Sequence, residues 1–104
     1  MTGVTQERSG GPSDGAVVRE VRIVNRLGLH ARASAQFVRT AERFQAEVSV
    51  EVCGQRVNGK SIMGLLMLAA SQGTVLTLRA AGTDGTAAVA ALAELVARRF
   101  GEPE

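Results

Sequence analysis

Residues Glu47-Val48-Ser49-Val50-Glu51-Val52 alternate polar and apolar side chains without a fault. A period of two places all three valines on one side of a strand and the polar residues on the other. A chain holding such a segment needs a sheet with one dry face and one wet face, and something apolar must cover the dry one. The flanking sequence suits a hairpin. Cys53-Gly54-Gln55 reads as a tight turn, with Gly54 free to take positive φ, and Arg56-Val57-Asn58 as a short return strand that Asn58-Gly59 ends.

The period changes elsewhere. Val17 to Val24 reads as a strand, with Val21 and Ile23 on one side and Glu20 and Arg22 on the other, and Asn25 to His30 as a loop. From Ala31, Phe37, Val38, Ala41 and Phe44 mark one face of a helix. Ser61 to Ala70 reads as a short apolar helix with Ser61 as its N-cap and Gly73 as its stop. Val75 to Ala80 is the last strand. Asp84 caps a final helix whose core face is Val89, Leu92, Val96 and Phe100. The order is β-α-β-β-α-β-α, an α+β sandwich of two layers: one antiparallel or mixed sheet with helices on one face. Residues 1–15, with Ser9-Gly10-Gly11-Pro12-Ser13, carry little apolar weight and read as a flexible tail; the folded domain spans 16–104.

Composition narrows the function. Three Phe and no Trp or Tyr leave few platforms for stacking bases, and a net charge of +2 gives no dense basic stripe, so a nucleic-acid partner is not expected. Arg26, Arg32, Arg39 and Lys60 can still gather locally, a patch suited to an acidic protein partner. One cysteine, Cys53, forbids an intrachain disulfide. No apolar run reaches the ~18–20 residues that span a bilayer, and no signal-peptide pattern opens the chain. A cytoplasmic protein, not inserted in a membrane, is the expectation.

His30 is the single histidine. No Cys or second His stands near it at metal spacing, so no metal site is expected, and neither Ser34 nor Asp14 completes a nucleophile–base–acid triad. A lone histidine is commonly just a surface residue. Its position argues for more. It opens a helix, where unpaired N–H groups and the positive end of the macrodipole favour an anion. A neutral imidazole nitrogen is a nucleophile near neutral pH. Arg32, a cation in the first helical turn, is misplaced for the dipole but well placed to hold a phosphate. Together these residues describe a phosphoryl acceptor.

The stretch Asn25-Arg26-Leu27-Gly28-Leu29-His30-Ala31-Arg32-Ala33-Ser34 resembles the active-site segment of the HPr family, the histidine-containing phosphocarriers of the phosphoenolpyruvate-dependent phosphotransferase system. Val57-Asn58-Gly59-Lys60-Ser61-Ile62-Met63-Gly64-Leu65 resembles that family's second signature, around its regulatory serine. The resemblance runs from about Val17 to Gly101. It implies an open-faced β-sandwich of four antiparallel strands covered on one face by three helices. It implies that His30 is phosphorylated on Nδ1 by enzyme I, that Arg32 stabilises the phosphate together with the backbone of Ala31, Arg32 and Ala33, and that the group passes to IIA-type domains. The protein would then be a carrier and not an enzyme, with no cofactor of its own, and a monomer.

The family usually has proline where this chain has Ala33, which restores a backbone donor in the first helical turn; transfer is expected to survive, with small changes in phosphohistidine stability. Ser61 contributes roughly 1 kcal/mol as an N-cap whether or not it is modified. The resemblance adds a regulatory phosphorylation there by an HPr kinase/phosphorylase, which would weaken docking by charge. In the helix after Ser61, Leu65 and Leu68 are expected inside. Ile62, Met63 and Leu66, partly exposed, would form a docking patch with Ala35 and Arg39. Two other readings share these residues: an HPr-like regulatory protein that controls a partner through its phosphorylation state, and a small nucleic-acid-binding domain, which charge and composition disfavour.

Overall fold

The structure is a computed structural model that describes residues 15–104, so all but the last residue of the expected tail lies outside the described residues. The elements are β1 (Val17–Arg22), α1 (Ala31–Ala41), β2 (Glu47–Val52), β3 (Gln55–Asn58), α2 (Ile62–Met67), β4 (Val75–Ala81) and α3 (Gly85–Ala97), followed by a 3-10 turn (Arg99–Gly101). The strands form one sheet in the order β1-β4-β2-β3, and every neighbouring pair is antiparallel. The fold is the α+β open-faced sandwich, and the choice between a mixed and an antiparallel sheet falls to the antiparallel form.

The alternation in β2 fixes the register. Val50 stands opposite Val57 of β3 and Leu78 of β4, and Val48 opposite Ala80. One residue of slip would turn these side chains to water. The hairpin turn has positive φ at both Cys53 (50°) and Gly54 (84°), the twist that a two-residue connection needs. On the dry face Ile23, Val50, Leu76 and Leu78 meet Phe37 of α1, Leu65 of α2 and Leu92 and Val96 of α3, all fully or almost fully buried. Truncating one such side chain to alanine costs about 2–5 kcal/mol.

Several boundaries differ from the sequence reading. β1 ends at Arg22, although Ile23 N–H still donates to Thr74 O at 2.9 Å and the Ile23 side chain is fully buried. α1 ends at Ala41, so Phe44 packs against the core from the following loop. α2 stops at Met67, because Ala69 turns into the left-handed region (φ 50°); Gly73 (φ 91°) serves the turn before β4 instead. Phe100 lies beyond α3. It is buried from the 3-10 turn with φ 55°, not from a continuous helical face.

Asp84 stands at the N-cap position of α3 but makes no side-chain cap hydrogen bond. Its carboxylate accepts from the backbone N–H of Gln45 and of Ala46, both at 2.8 Å, and so ties the entry of α3 to the connection between α1 and β2. The Gln45 bond is the main reason that its carboxyl lies below the ordinary aspartate range; partial desolvation opposes the shift, and the Ala46 bond and the Lys60 charge add to it. A lowered carboxyl pKa contributes stability above the unfolded-state value, and that contribution disappears as pH falls through the folded-state value. Asp84→Ala is therefore expected to lower Tm at pH 7, with the gap to wild type closing as pH falls below the ordinary aspartate pKa of about 3.9. Thermal melts across pH measure it, and a gap that does not change with pH would reject the assignment.

Candidate functional site

The loop leading into α1 is shaped by a turn at Asn25–Gly28. Gly28 N–H donates to Asn25 O at 3.3 Å, and the Asn25 side-chain amide donates back to Gly28 O at 2.9 Å. Asn25 is fully buried. Gly28 has φ 70°, and a Cβ there would meet Ala70 O at 2.5 Å and Ser71 Cα at 2.9 Å. Both objections are to backbone, so no side chain can give way. Leu29 N–H then donates to Ala70 O at 2.9 Å, and the chain enters α1.

His30 is the N-cap of α1, with extended backbone (φ −77°, ψ −176°). The imidazole takes the part usually played by a Ser or Asp oxygen: Nδ1 accepts from the backbone N–H of Arg32 at 3.3 Å, while His30 O accepts the first helical bond from Ser34 N–H at 2.8 Å. Nδ1 thus faces the amides and positive end of an 11-residue helix. The other ring nitrogen, Nε2, is paired with the Glu102 carboxylate. The remaining Glu102 oxygen accepts from Asn25 Nδ2 at 3.0 Å. The His30 side chain is 29% exposed and that of Glu102 only 9%. Desolvation alone pushes the Glu102 carboxyl up, but the hydrogen bonds from Asn25 and His30, with the His30 and Arg32 charges, outweigh it and hold the group below the ordinary glutamate range.

A shallow cleft of about 460 Å³ opens beside the ring, lined by Arg26, Leu27, His30, Arg32, Glu102, Pro103 and Glu104. Arg32 is exposed at the helix start, and Arg26 pairs with Glu104 at 3.3 Å in full solvent. Of the four cations expected to gather, only these two line the cleft. Arg39 sits in the last turn of α1, and Lys60 donates to Phe44 O at 2.8 Å and lines a different cleft, beside Arg56 and Arg79. Ala31 and Arg32 are exposed in the first turn of α1, whereas the Ala33 side chain is fully buried.

Ser61 caps α2, its hydroxyl oxygen accepting from Gly64 N–H at 3.0 Å. Leu65 and Leu68 are buried, while Ile62 (41%), Met63 (71%) and Leu66 (37%) are exposed. Met67 and Leu27, outside the expected patch, are exposed as well. Ala35 is half-buried and Arg39 exposed, where it donates to Gln36. The sequence reading did not find Asn25 and Glu102. Leu27 and the Asn25–Gly28 turn were within its reach, since an Asn three residues before a Gly marks a turn. No local signal marks Glu102. Among the described residues, no group of three His, Cys, Asp or Glu is placed to hold a metal ion, and no helix is long and apolar enough to cross a membrane.

The sequence and the fold are similar to those of known proteins. The family model for the PTS HPr component phosphorylation site matches residues 17–98. The phosphocarrier protein HPr of Neisseria meningitidis serogroup A is 52% identical over 86 residues, covering 83% of this chain and 97% of the relative. That of Xylella fastidiosa strain Temecula1 is 49% identical over 83 residues, covering 80% and 93%. The crystal structure of HPr-C-His from Thermoanaerobacter tengcongensis superposes with a TM-score of 0.82 at 43% identity, covering 85% of this chain and 99% of that one.

The close approach at Gly28 yields a test. Gly28→Ala forces a left-handed alanine against fixed backbone and is expected to destabilise the protein by about 2 kcal/mol or more. Urea denaturation reads the loss, and a shift under about 0.5 kcal/mol, the scale of a neutral surface change, would refute the role given to this turn.

Proposed function

The chain belongs to the HPr family of phosphocarrier proteins of the phosphotransferase system, and from that premise we propose that His30 is its phosphoryl-accepting residue, charged on Nδ1 by enzyme I and discharged to IIA-type domains. One observation carries the reading: the ring itself caps α1, so Nδ1 lies at the positive end of the helix with the Arg32 amide beside it. A phosphoryl group on Nδ1 would stand where the helix favours an anion, with backbone donors from Ala31, Arg32 and Ala33 and the Arg32 side chain as a movable cation. Ala33 retains the N–H that proline would remove. The protein acts as a carrier: it holds the group and needs neither cofactor nor metal of its own.

The exposed apolar side chains of α2 support a docking surface for both donor and acceptor. Ile62, Met63 and Leu66, with Ala35 and Arg39 from α1, would meet partners that must dock briefly and in succession. Ser61 is the modification site in this reading, for an HPr kinase/phosphorylase. A phosphate there would face the N-terminus of α2 and leave the fold intact while adding about −2 charge beside the patch. The carrier works as a monomer in the cytoplasm.

Incubation with enzyme I and phosphoenolpyruvate, followed by intact mass, is expected to show one acid-labile phosphoryl group on wild type and none on His30→Ala. An unlabelled wild type, or a labelled His30→Ala, would end the proposal. Ser61→Asp is expected to keep a wild-type Tm within a few degrees and to raise the KM of enzyme I for the carrier at least several-fold; an unchanged KM would separate Ser61 from docking.

A further inference from the structure

The carrier reading makes no use of the chain's C-terminal end, yet the fold brings that end back to the ring at some expense. After α3, Arg99 (φ 59°), Phe100 (φ 55°) and Gly101 (φ 83°) follow one another in the left-handed region. For the two non-glycine residues this conformation is strained. The Phe100 ring, 3% exposed in the core, offsets much of that strain. The reversal delivers Glu102 to His30, 72 positions away in sequence. The segment is then held at both ends. Asn25 Nδ2 donates to Glu102 Oε1, and Arg26 N–H donates to Glu104 O.

Both ring nitrogens of His30 have partners with only one possible role. The Arg32 backbone N–H can only donate, so Nδ1 accepts. An ionised Glu102 can only accept, so Nε2 carries the proton. The other groups around the ring are Arg26 and Leu27 from the loop, Arg32 from α1, and Pro103 and Glu104 from the C-terminal segment. None of these is a second carboxylate on the Nδ1 side, because Glu104 is turned to Arg26.

We propose that Glu102 is a positioning residue for phosphoryl transfer at His30: it keeps the ring proton on Nε2, so the group moves on and off Nδ1 without any proton transfer. This rests on His30 being the acceptor. In the accepting step the Nδ1 lone pair attacks phosphorus, and the bond from phosphorus to the donor protein breaks with its electron pair leaving on the donor. The product is a phosphorylated imidazolium whose proton has stayed on Nε2, and its positive charge faces the Glu102 carboxylate. In the discharging step the phosphorus–Nδ1 bond breaks, the pair returns to Nδ1, and the leaving group is neutral imidazole with the same proton in place. Without that proton the leaving group would be imidazolate, a far poorer one. The arrangement is the carboxylate–histidine pairing that fixes a tautomer in hydrolases and metal sites, here applied to a carrier.

The ¹⁵N spectrum of the His30 ring, in the full-length unphosphorylated protein at a pH where the ring is neutral, reads the tautomer directly. Wild type is expected to be almost wholly Nε2–H. Glu102→Gln keeps an accepting oxygen and is expected to retain that tautomer, whereas Glu102→Ala is expected to show a mixture. Stopped-flow or quench measurements with enzyme I and phosphoenolpyruvate should then show phosphoryl acceptance about tenfold slower in Glu102→Ala at unchanged KM, with Glu102→Gln between the two. A wild-type tautomer in Glu102→Ala, or a wild-type rate, would overturn the role of Glu102. A wild-type protein that takes no phosphoryl group would overturn the carrier reading instead, and the tautomer measurement tells the two failures apart.

Discussion

The buried side chain of Asn25 joins three parts of the molecule that have no sequence connection. One N–H₂ group serves both Gly28 O, which closes the turn before α1, and Glu102 Oε1, which docks the C-terminal segment. The end of β1, the start of α1 and the end of the chain therefore share one amide. Its Oδ1 finds no hydrogen-bond partner among the described residues. A buried polar atom left unpaired costs about 1–3 kcal/mol, a cost that sits against the two hydrogen bonds the same amide donates. What the amide provides is position: the loop conformation and the carboxylate orientation at His30 are set by the same group.

From that root the site assembles on rigid elements. Gly28 lets the loop pass close to the Ala70 carbonyl, which anchors Leu29, and Leu29 and Ala33 are buried in the core on either side of His30. The ring is thus held between two core residues while its Nδ1 side stays at the helix N-terminus. Packing of α1 through Phe37 and Ala41 fixes the direction of the helix axis, and with it the direction in which the first-turn amides point. The exposed face of the sheet contributes nothing to this geometry, which fits its wholly polar alternation in β2.

What was legible in the sequence follows the range of the physics involved. The β2 alternation and the α1 face arise from periods of two and of about 3.6, and the His30–Arg32 pair from its place at a helix start, so all three can be read in a short window. Exposure of Ile62, Met63 and Leu66 follows from an all-apolar stretch too short to be buried on every side. The misses are of another kind. Asp84 looked like a local cap, but its carboxylate reaches residues 38 and 39 positions away. Glu102 partners His30, 72 positions away, and nothing in the residues beside it marks that role. Ala69 and Phe100 take left-handed backbone that no residue type there announces. Tertiary hydrogen bonds and strain compensated elsewhere leave no periodic mark, and the candidate site depends on both.

The modest strength of each contact on the Nδ1 side of His30 bears on the proposed relay. A carrier must release what it holds, so a site that bound the phosphoryl group deeply would lower the energy of the charged state and slow the onward step. Here the Nδ1 contact is a long 3.3 Å bond, Arg32 is exposed, and the ring is partly open to solvent. A helix terminus contributes at most about 2 kcal/mol, and exposed cations contribute less. The tight interactions lie on the opposite side of the ring, at Nε2, where they do not touch the transferred group. Holding the ring firmly at one nitrogen and the cargo loosely at the other lets the site be ordered without making the phosphoryl group hard to remove.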